Sequence, residues 1–324
     1  MKTIKKTTVV LLVMIMAVLA LASCGSQNGG EESAAAAADT GYPMTFDNYG
    51  HELTLDQMPE KVITAGPNCT ELFIALGLED KIIGNSCDNH AQAPLDEYKE
   101  AYDKIPELTF GYPTLEAVVS SEADFLYAID WVFEGDFTID ALEENGVKVY
   151  SNSASTVEEV YQEIRDMGTI FDVSDKAEAF IADQQARIEA ATKAIEGQDT
   201  VKVFCYDADT GDGIYTAGGP NLETELIALA GGDNVMKGLD KAWTGVSLEE
   251  ILESQPDVIV VHDYDTPTAD EKIAAIKADP VLSQLQCVKD ERFVVLPLED
   301  AFPGSRTADA VETLAEGFFP DCFK

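Results

Sequence analysis

Aromatic and polar side chains that can hold a flat ligand occur where apolar runs of the chain end. Tryptophan and tyrosine offer flat faces to a ring system, while asparagine, histidine and arginine offer hydrogen bonds. One of the two tryptophans lies in each half of the chain, which favours a shared cleft over packing of each ring against its own lobe. The predicted ligand-binding residues are Asn68, His90, Trp131, Tyr206, Tyr215, Trp243, Tyr264 and Arg306.

Two of these residues have a second interpretation. Arg306, in the segment "PGSRTAD", can hold ligand oxygens with two parallel hydrogen bonds, and a salt bridge with a nearby acid such as Asp309 is the alternative. His90 can ligate a metal, but a single histidine in a loop is more often a hydrogen-bonding surface residue. We favour that second interpretation for His90.

Two glutamates occupy equivalent places in a repeated unit. The segment "TLEAVVSSEADFLYAI" at 114–129 returns as "SLEEILESQPDVIVVH" at 247–262, and Glu116 and Glu249 each follow the first leucine. A carboxylate in the first turn of a helix is stabilised by the helix dipole, which explains a single glutamate without any partner. Its repetition in both halves favours a shared binding role, with the adjacent Glu250 as the less favoured alternative.

The sequence predicts neither an enzyme nor a resident cofactor. It contains no GxxxxGK[ST], HExxH or GxSxG motif, and three histidines are too few for a site that binds bare metal ions. The acidic loop "DADTGDG" at 207–213 resembles a calcium loop. An EF-hand needs Gly at its sixth position and Glu at its twelfth, where this chain has Asp212 and Gly218.

The N-terminus predicts export followed by lipid attachment. Three lysines precede an apolar run from about Val9 to Ala22, which is shorter than the ~20 residues that a membrane-spanning helix needs. The ending "LASC" resembles the bacterial lipobox and predicts cleavage before Cys24 and lipidation of its sulfur. A plain secretory signal is the alternative.

The remaining cysteines do not predict a disulfide framework. Their odd number leaves at least one thiol without a partner in the chain, and Cys69 with Cys87 is a pairing that we consider without favouring it. The five are Cys69, Cys87, Cys205, Cys287 and Cys322.

Alternating strand and helix patterns predict an α/β fold with parallel sheets in two Rossmann-like lobes. Ser174 is predicted to cap a helix from Asp175 to about Glu196, about 33 Å long, which would join the lobes. A last helix is predicted from about Thr307 to Phe318. The predicted organisation is a signal peptide at 1–23, a tether at 24–42, an N-terminal lobe at 43–155, a linking segment at 156–198 and a C-terminal lobe at 199–324.

Length and charge limit the possible functions. A chain of 324 residues exceeds the roughly 250 at which single cores tend to split, which agrees with two lobes. Its 60 acidic and 21 basic residues give a net charge of −39. Such a chain repels DNA, RNA and anionic lipid headgroups, so we expect no nucleic-acid partner.

The sequence resembles a known family, the lipid-anchored substrate-binding proteins of ABC importers for ferric siderophores, haem and cobalamin. The resemblance spans about Met44 to Pro320, essentially the whole mature domain. The segments on which the resemblance rests are "KVITAGPNCTELFIALGLEDKIIG", "TLEAVVSSEADFLYAI", "YTAGGPNLETELIALAGGDNV", "VSLEEILESQPDVIVV" and "AFPGSRTADAVETLAEGFFPD".

The resemblance implies a partner for each repeated glutamate. Glu116 and Glu249 would dock on the two subunits of a permease dimer, which works with an ATPase, and the ligand would lie between the lobes. The protein would act outside the cytoplasmic membrane, tethered through Cys24. A single helix across the hinge predicts a small closure of the lobes.

The ligand is left open. An iron chelate such as a siderophore is the first interpretation and cobalamin or haem the alternative, with a metal-ion binder or a surface enzyme less favoured. The acidity of the chain disfavours a ferric tris-catecholate, and a neutral or cationic hydroxamate complex or a corrinoid fits better.

Overall fold

The computed structural model describes residues 41–91 and 93–324. The predicted signal peptide, Cys24 and almost all of the tether lie outside these residues. Tyr42, predicted as the last tether residue, already donates a hydrogen bond to the carbonyl oxygen of Ile170. A membrane-crossing helix would have to be long and apolar, and none of the described helices meets both conditions.

The first half of the chain is built on a five-stranded parallel sheet, which with its helices we call the N-terminal lobe. The strand order is β5–β4–β3–β6–β7, and a hairpin of β1 and β2 turns at Tyr49-Gly50, both with positive φ. The elements are β1 Met44–Asn48, β2 His51–Leu55, β3 Val62–Ala65, α1 Pro67–Ala75, β4 Ile82–Ser86, α2 Asp96–Tyr102, β5 Glu107–Thr109, α3 Leu115–Ser120, β6 Phe125–Ile129, α4 Ile139–Glu144 and β7 Lys148–Asn152.

Two helices link the halves. They are α5 Val157–Ile170 and α6 Ser174–Ala194, and α5 begins with a capping box of Thr156 and Glu159. The 21 residues of α6 give a length of about 31 Å. The prediction that Ser174 caps this helix is wrong. Val173 holds the cap position without a side-chain bond, because the chain turns from α5 into α6 within three residues and Ser174 is already helical.

The second half contains a four-stranded parallel sheet in the order β11–β8–β13–β14, which with its helices forms the C-terminal lobe. A small antiparallel sheet, β12–β10–β9, was not predicted. The elements are β8 Val201–Tyr206, β9 Ala208–Asp209, β10 Ile214–Ala217, α7 Leu222–Leu229, β11 Gly232–Asn234, β12 Trp243–Val246, α8 Leu248–Ser254, β13 Val258–Asp263, α9 Ala269–Ala278, α10 Gln286–Lys289, β14 Phe293–Pro297 and α11 Thr307–Phe318.

Helix α6 contacts elements of both lobes. Near its start, Lys176 donates from Nζ to the carbonyl oxygen of Leu76 at 3.1 Å, just beyond α1. About two and three turns from there, Gln184 accepts from the backbone N–H of Ala308, and Arg187 bonds Asp309 at 2.8 Å, both on α11. One rigid helix therefore carries contacts to each lobe.

A buried ion pair joins the lobes directly. Arg306 lies at the start of α11 and is only 4% exposed. It donates from Nε and Nη2 to the two carboxylate oxygens of Glu71 on α1, both at 2.6 Å. Its Nη1 donates to Asp300 at 3.0 Å and lies 3.3 Å from Glu299. Two parallel hydrogen bonds of this kind fix the orientation of α11 relative to α1.

The matching glutamate of the C-terminal lobe also reaches across the junction. The repeated sequence lies within α1 as Thr70-Glu71-Leu72 and within α7 as Thr224-Glu225-Leu226. The carboxylate of Glu225 accepts a hydrogen bond from the backbone N–H of Val157, the first residue of α5, at 2.9 Å. The repeated motif thus serves the joint between the lobes.

We predict that Arg306→Met lowers the free energy of unfolding by about 3–5 kcal/mol, because it leaves the Glu71 carboxylate buried without its cation. Arg165→Met is the matched control, since Arg165 pairs with Glu158 and Glu178, whose side chains are exposed. Its expected cost is about 0–1 kcal/mol. Urea unfolding measures both variants, and equal losses would contradict the structural role of Arg306.

Candidate ligand-binding cleft

An aromatic cavity of ≈ 230 Å³ lies between the two lobes. Five predicted ligand-binding residues line it, and most of its wall consists of rings. The lining residues are His90, Tyr112, Trp131, Glu134, Asp207, Tyr215, Trp243, Tyr264, Leu298 and Phe302. A second cavity of ≈ 260 Å³ shares Trp131, Trp243 and Phe302 with it and extends to the segment 152–155 where the lobes meet. Together they form one cleft.

Residues that follow the strands of the N-terminal lobe form one wall. His90 ends a short turn after β4, Tyr112 follows β5, and Trp131 follows β6. The Trp131 ring centroid lies 4.6 Å from that of His90 and 5.5 Å from that of Tyr112. The carboxyl ends of parallel strands meet at one edge of a sheet, where ligands of such folds bind.

The opposite wall is built on the unpredicted antiparallel sheet. Tyr215 on β10 and Trp243 on β12 stack with ring centroids 5.9 Å apart and an interplanar angle of 12°. Rings also meet across the two lobes. His90 lies parallel to Tyr264 at 6.4 Å, and Trp131 lies 6.1 Å from Phe302.

A buried ionic network supports this second wall. His262 is completely buried, with Nδ1 3.1 Å from Asp207 and Nε2 3.0 Å from Glu223. Burial acts to lower the pKa of His262, but the two carboxylates outweigh it and raise the pKa to about 10. Burial acts to raise the pKa of Asp207, and His262 reverses this so that the pKa falls below its usual value. Asp207 therefore faces the cleft as an anion.

The network also positions two rings of the wall. The Tyr264 hydroxyl donates to Asp207 at 3.3 Å, and Trp243 meets the His262 ring edge-on at 5.8 Å. Lys272 lies 4.0 Å from the centre of the Tyr264 ring and donates to the carbonyl oxygen of His262. Lys272 thus balances the network from behind the ring and is absent from the cavity lining.

The cleft presents acceptors and neutral rings. Glu134 and Asp207 are the acidic residues of the aromatic cavity and Asp130 is that of the second cavity, and no lysine or arginine is among the described residues that line either one. Burial lowers the pKa of His90, so its imidazole is neutral at pH 7. Its Nδ1 pairs with the side-chain oxygen of Asn89 at 3.0 Å.

The structure does not bring three predicted residues to the aromatic cavity. Arg306 is wrong as a ligand-binding residue, because carboxylates and the carbonyl oxygen of Ala93 take its donors. Asn68 is buried at the lobe junction, where it donates to Asn152 and to the carbonyl oxygen of Pro303. Tyr206 lines a different cavity, in the C-terminal lobe.

The prediction missed Tyr112, Glu134, Asp207, Leu298 and Phe302 as individual residues. Asp207 is next to the predicted Tyr206, and successive side chains along a strand point to opposite faces. The prediction chose Tyr206 because it is aromatic, and it therefore missed Asp207, whose side chain points to the other face. Tyr112 follows a strand of only three residues, which gave no clear apolar run.

The two repeated glutamates lie at the same position of short exposed helices. Glu116 is the second residue of α3 after the cap Thr114, and Glu249 is the second residue of α8 after the cap Ser247. The carboxylate of Glu250, the less favoured alternative, closes a capping box with Ser247. Within the described residues, Glu116 and Glu249 are exposed and have no hydrogen-bond or ion-pair partner.

The five cysteines after Cys24 are free thiols in the structure, and the pairing of Cys69 with Cys87 is not formed. Both side chains are buried in the N-terminal lobe. Burial raises the pKa of the Cys87 thiol to about 12, so this thiol is not ionised at neutral pH.

Comparison with known proteins gives the family. Residues 62–299, most of the chain, match the family model described as periplasmic binding protein. This chain belongs to the periplasmic binding protein family. The match confirms the resemblance drawn from the sequence, and the α/β fold with two parallel sheets agrees with the predicted class.

Relatives of this binding protein cover nearly its whole length. The uncharacterized ABC transporter substrate-binding lipoprotein YvrC of Bacillus subtilis (strain 168) is 26% identical over 87% of this chain and 88% of its own. A vitamin B12-binding protein of Vibrio vulnificus (strain CMCP6) is 24% identical over 80% of this chain and 90% of its own. The crystal structure of a periplasmic binding protein from Veillonella parvula superimposes with a TM-score of 0.76 at 28% identity, over 85% and 96%.

We predict that the imidazole of His262 stays protonated to about pH 9, whereas that of His90 is neutral above about pH 6.5. The reason is that the two flanking carboxylates raise the pKa of His262, whereas burial lowers the pKa of His90. A pH titration of the histidine ring signals by NMR measures both, with His90→Gln to assign one of the three signals. A His262 midpoint near 6.5 would contradict the ionic network.

Proposed function

We propose that this binding protein captures a neutral corrinoid in the cleft between its lobes and delivers it to an ABC importer. The observation that supports this proposal most directly is a ring-lined aromatic cavity whose acidic residues, Glu134 and Asp207, offer carboxylate oxygens as hydrogen-bond acceptors. A corrin ring offers a flat face to the aromatic walls, and its amide side chains can donate hydrogen bonds to the carboxylates. The similarity to vitamin B12-binding proteins supports this choice.

The acidic residues of the cavity lining discriminate among the other candidate ligands by the charge that each ligand carries. Haem and ferric tris-catecholates carry negative charge, and Glu134 and Asp207 would repel them, while no cationic side chain among the described residues of the cavity lining offsets the repulsion. A neutral or cationic ferric hydroxamate meets the same charge requirement, which makes an iron chelate of that kind the second candidate. The exposed rings of Tyr112 and Tyr215 extend the contact surface for a large ligand.

Delivery would use the two repeated glutamates. Glu116 and Glu249 are exposed at the starts of α3 and α8, one on each lobe, and would dock on basic pockets of the two permease subunits. Lipidation at Cys24, with the segment 24–42 as tether, would keep the lobes at 43–155 and 199–324 close to the outer face of the membrane. In this proposal the protein binds and delivers and has no enzymatic activity or cofactor.

We predict that Glu134→Lys raises the affinity for haem by about tenfold, the factor given by about 1.4 kcal/mol, and leaves cobalamin affinity within about twofold. The variant turns repulsion of the propionates into attraction, whereas cobalamin carries no such groups. Equilibrium titration of both ligands measures the ratio. Asp136→Lys, an exposed acid in the same loop outside the cavity lining, is the matched control.

Two results would count against the corrinoid proposal. The first is wild-type protein that binds haem as tightly as cobalamin. The second is the same response from Glu134→Lys and Asp136→Lys, which would mean that overall charge rather than the cleft governs selection.

We also predict that the double variant Glu116→Ala and Glu249→Ala abolishes transport and leaves ligand affinity unchanged, because both side chains lie away from the cleft. Uptake of labelled ligand by cells and titration of the purified protein measure the two effects. Glu253→Ala, an exposed residue of the same helix α8, should change neither. A loss of affinity as large as the loss of transport would contradict the docking role.

A further inference from the structure

A buried carboxylate on α5 lies behind the wall of the cleft. Glu163 is 2% exposed, and its two oxygens accept five hydrogen bonds. Two of them come from tyrosine hydroxyls, from Tyr49 at the tip of the hairpin at 2.6 Å and from Tyr127 on β6 at 3.1 Å. A buried charge is costly unless hydrogen bonds compensate it, so this set of donors is what keeps the carboxylate in place.

The other three donors belong to the segment 152–155, which lines the second cavity of the cleft. The backbone N–H groups of Ser153 and Ala154 donate to Oε1 of Glu163, both at 3.0 Å, and Nδ2 of Asn152 donates to Oε2. A carboxyl group accepts on both oxygens without restriction only when it is ionised, because a proton turns one oxygen into a donor. The observed wall therefore matches the ionised form of Glu163.

The same network continues to the other lobe. Nδ2 of Asn68 donates to Oδ1 of Asn152 at 2.8 Å and to the carbonyl oxygen of Pro303 at 2.7 Å. Pro303 lines the second cavity from the C-terminal lobe. The next residue, Gly304, packs so closely on Asn68 that a Cβ atom there would lie 3.3 Å from the Asn68 carbonyl oxygen. Two amide side chains thus connect Glu163 to both walls of that cavity.

We propose that Glu163 is a positioning residue of the binding cleft. Its ionised carboxylate holds the segment 152–155 and, through Asn152 and Asn68, Pro303 on the opposite wall, and uptake of a proton loosens this arrangement and weakens ligand binding. Glu163 is absent from the lining of both cavities, so it acts through its neighbours. The effect on ligand affinity rests on the proposed function, whereas the effect on the wall does not.

The protonation of Glu163 can be followed near neutral pH. Burial raises its pKa to about 7, although the hydrogen bonds to its oxygens oppose the rise. Burial also raises the pKa of the surrounding phenols and of the nearby thiol, which stay neutral. The titratable and charged groups around it are Tyr49 from the hairpin, Tyr127 from β6, Tyr150 from β7, Cys69 from α1, and Glu159, Arg165 and Asp166 from α5.

Two other carboxyl groups require controls. Burial raises the pKa of Asp166, which lies on α5 and accepts from the hydroxyl of Tyr150 at 2.6 Å. Burial also raises the pKa of Asp300 to about 7, although Arg306 opposes the rise. A pH profile of the wild type alone therefore does not identify the group that titrates, and variants must be compared.

The first measurement is a pH titration of backbone amide NMR signals in the full chain, kept in a non-ionic detergent without ligand. We expect the signals of Ser153 and Ala154 to shift with a midpoint near pH 7, because their N–H groups bond Glu163 directly. The signal of Gly304 should shift with the same midpoint, since its N–H shares a peptide group with the Pro303 carbonyl. Glu163→Gln should abolish all three shifts.

Two further variants separate the steps of the network. Asn68→Leu removes the link between the walls and should abolish the shift of the Gly304 signal alone. Asp166→Asn removes a carboxylate whose partner Tyr150 lines neither cavity, and all three shifts should remain. This variant is the matched control, because it changes a half-buried acid of the same helix.

The second measurement is the affinity for cobalamin at pH 8 and pH 6 at fixed ionic strength. We expect binding to the wild type and to Asp166→Asn to weaken about tenfold at pH 6, the change in the ionised fraction of a group whose pKa is about 7. Glu163→Gln cannot accept all five hydrogen bonds, so it should bind more weakly at pH 8 and change by less than about twofold between the two pH values.

Signals of Ser153 and Ala154 that do not titrate, or that titrate equally in Glu163→Gln, would overturn the proposal. A Gly304 signal that is unaffected by pH would overturn the link between the walls. A tenfold pH effect on affinity that survives in Glu163→Gln would belong to another group such as Asp300 and would also overturn it. Cobalamin that binds at neither pH would contradict the proposed function, and the amide titration would then decide the role of Glu163 by itself.

Discussion

The buried contact between Arg306 and Glu71 fixes one lobe against the other, and the geometry of the cleft depends on it. The guanidinium sits at the start of α11 and the carboxylate within α1, so two parallel hydrogen bonds couple the cores of the two lobes. Helix α6 adds contacts to both sides. Contacts on both sides of the junction thus hold the two walls in a fixed arrangement, which would lower the cost of binding a ligand between them.

Cationic and acidic side chains are distributed unequally between the contacts that hold the lobes and the cleft. Arg306 and Arg187 are engaged by carboxylates at the lobe junction and along α6, and Lys272 is engaged behind the Tyr264 ring. The cleft itself keeps the carboxylates of Glu134 and Asp207. In a chain with 60 acidic and 21 basic residues, the cations with the most buried positions stabilise structure, and the binding surface is left neutral to acidic.

The sequence was sufficient for features that depend on local burial patterns. The repeated helix–strand units, the hairpin, the long linking helix and α11 at Thr307–Phe318 follow from apolar periodicity, glycine turns and capping residues. The roles of residues whose partners are distant in the sequence could not be predicted from it. The partner of Arg306 is 235 positions away, and the choice between Tyr206 and Asp207 depends on which strand face meets the cleft. The short strands β9, β10 and β12 also lacked a clear pattern.

The most direct test of the central claim, that a neutral corrinoid binds between the two aromatic walls, is quenching of tryptophan emission during titration with cobalamin. Trp131 and Trp243 are the two tryptophans of the chain and both line the cleft, one from each lobe. Saturable quenching of both residues is expected, with Trp131→Phe and Trp243→Phe each retaining a quenched signal from the other. No saturable quenching, or quenching of only one tryptophan, would contradict a ligand held between the two walls.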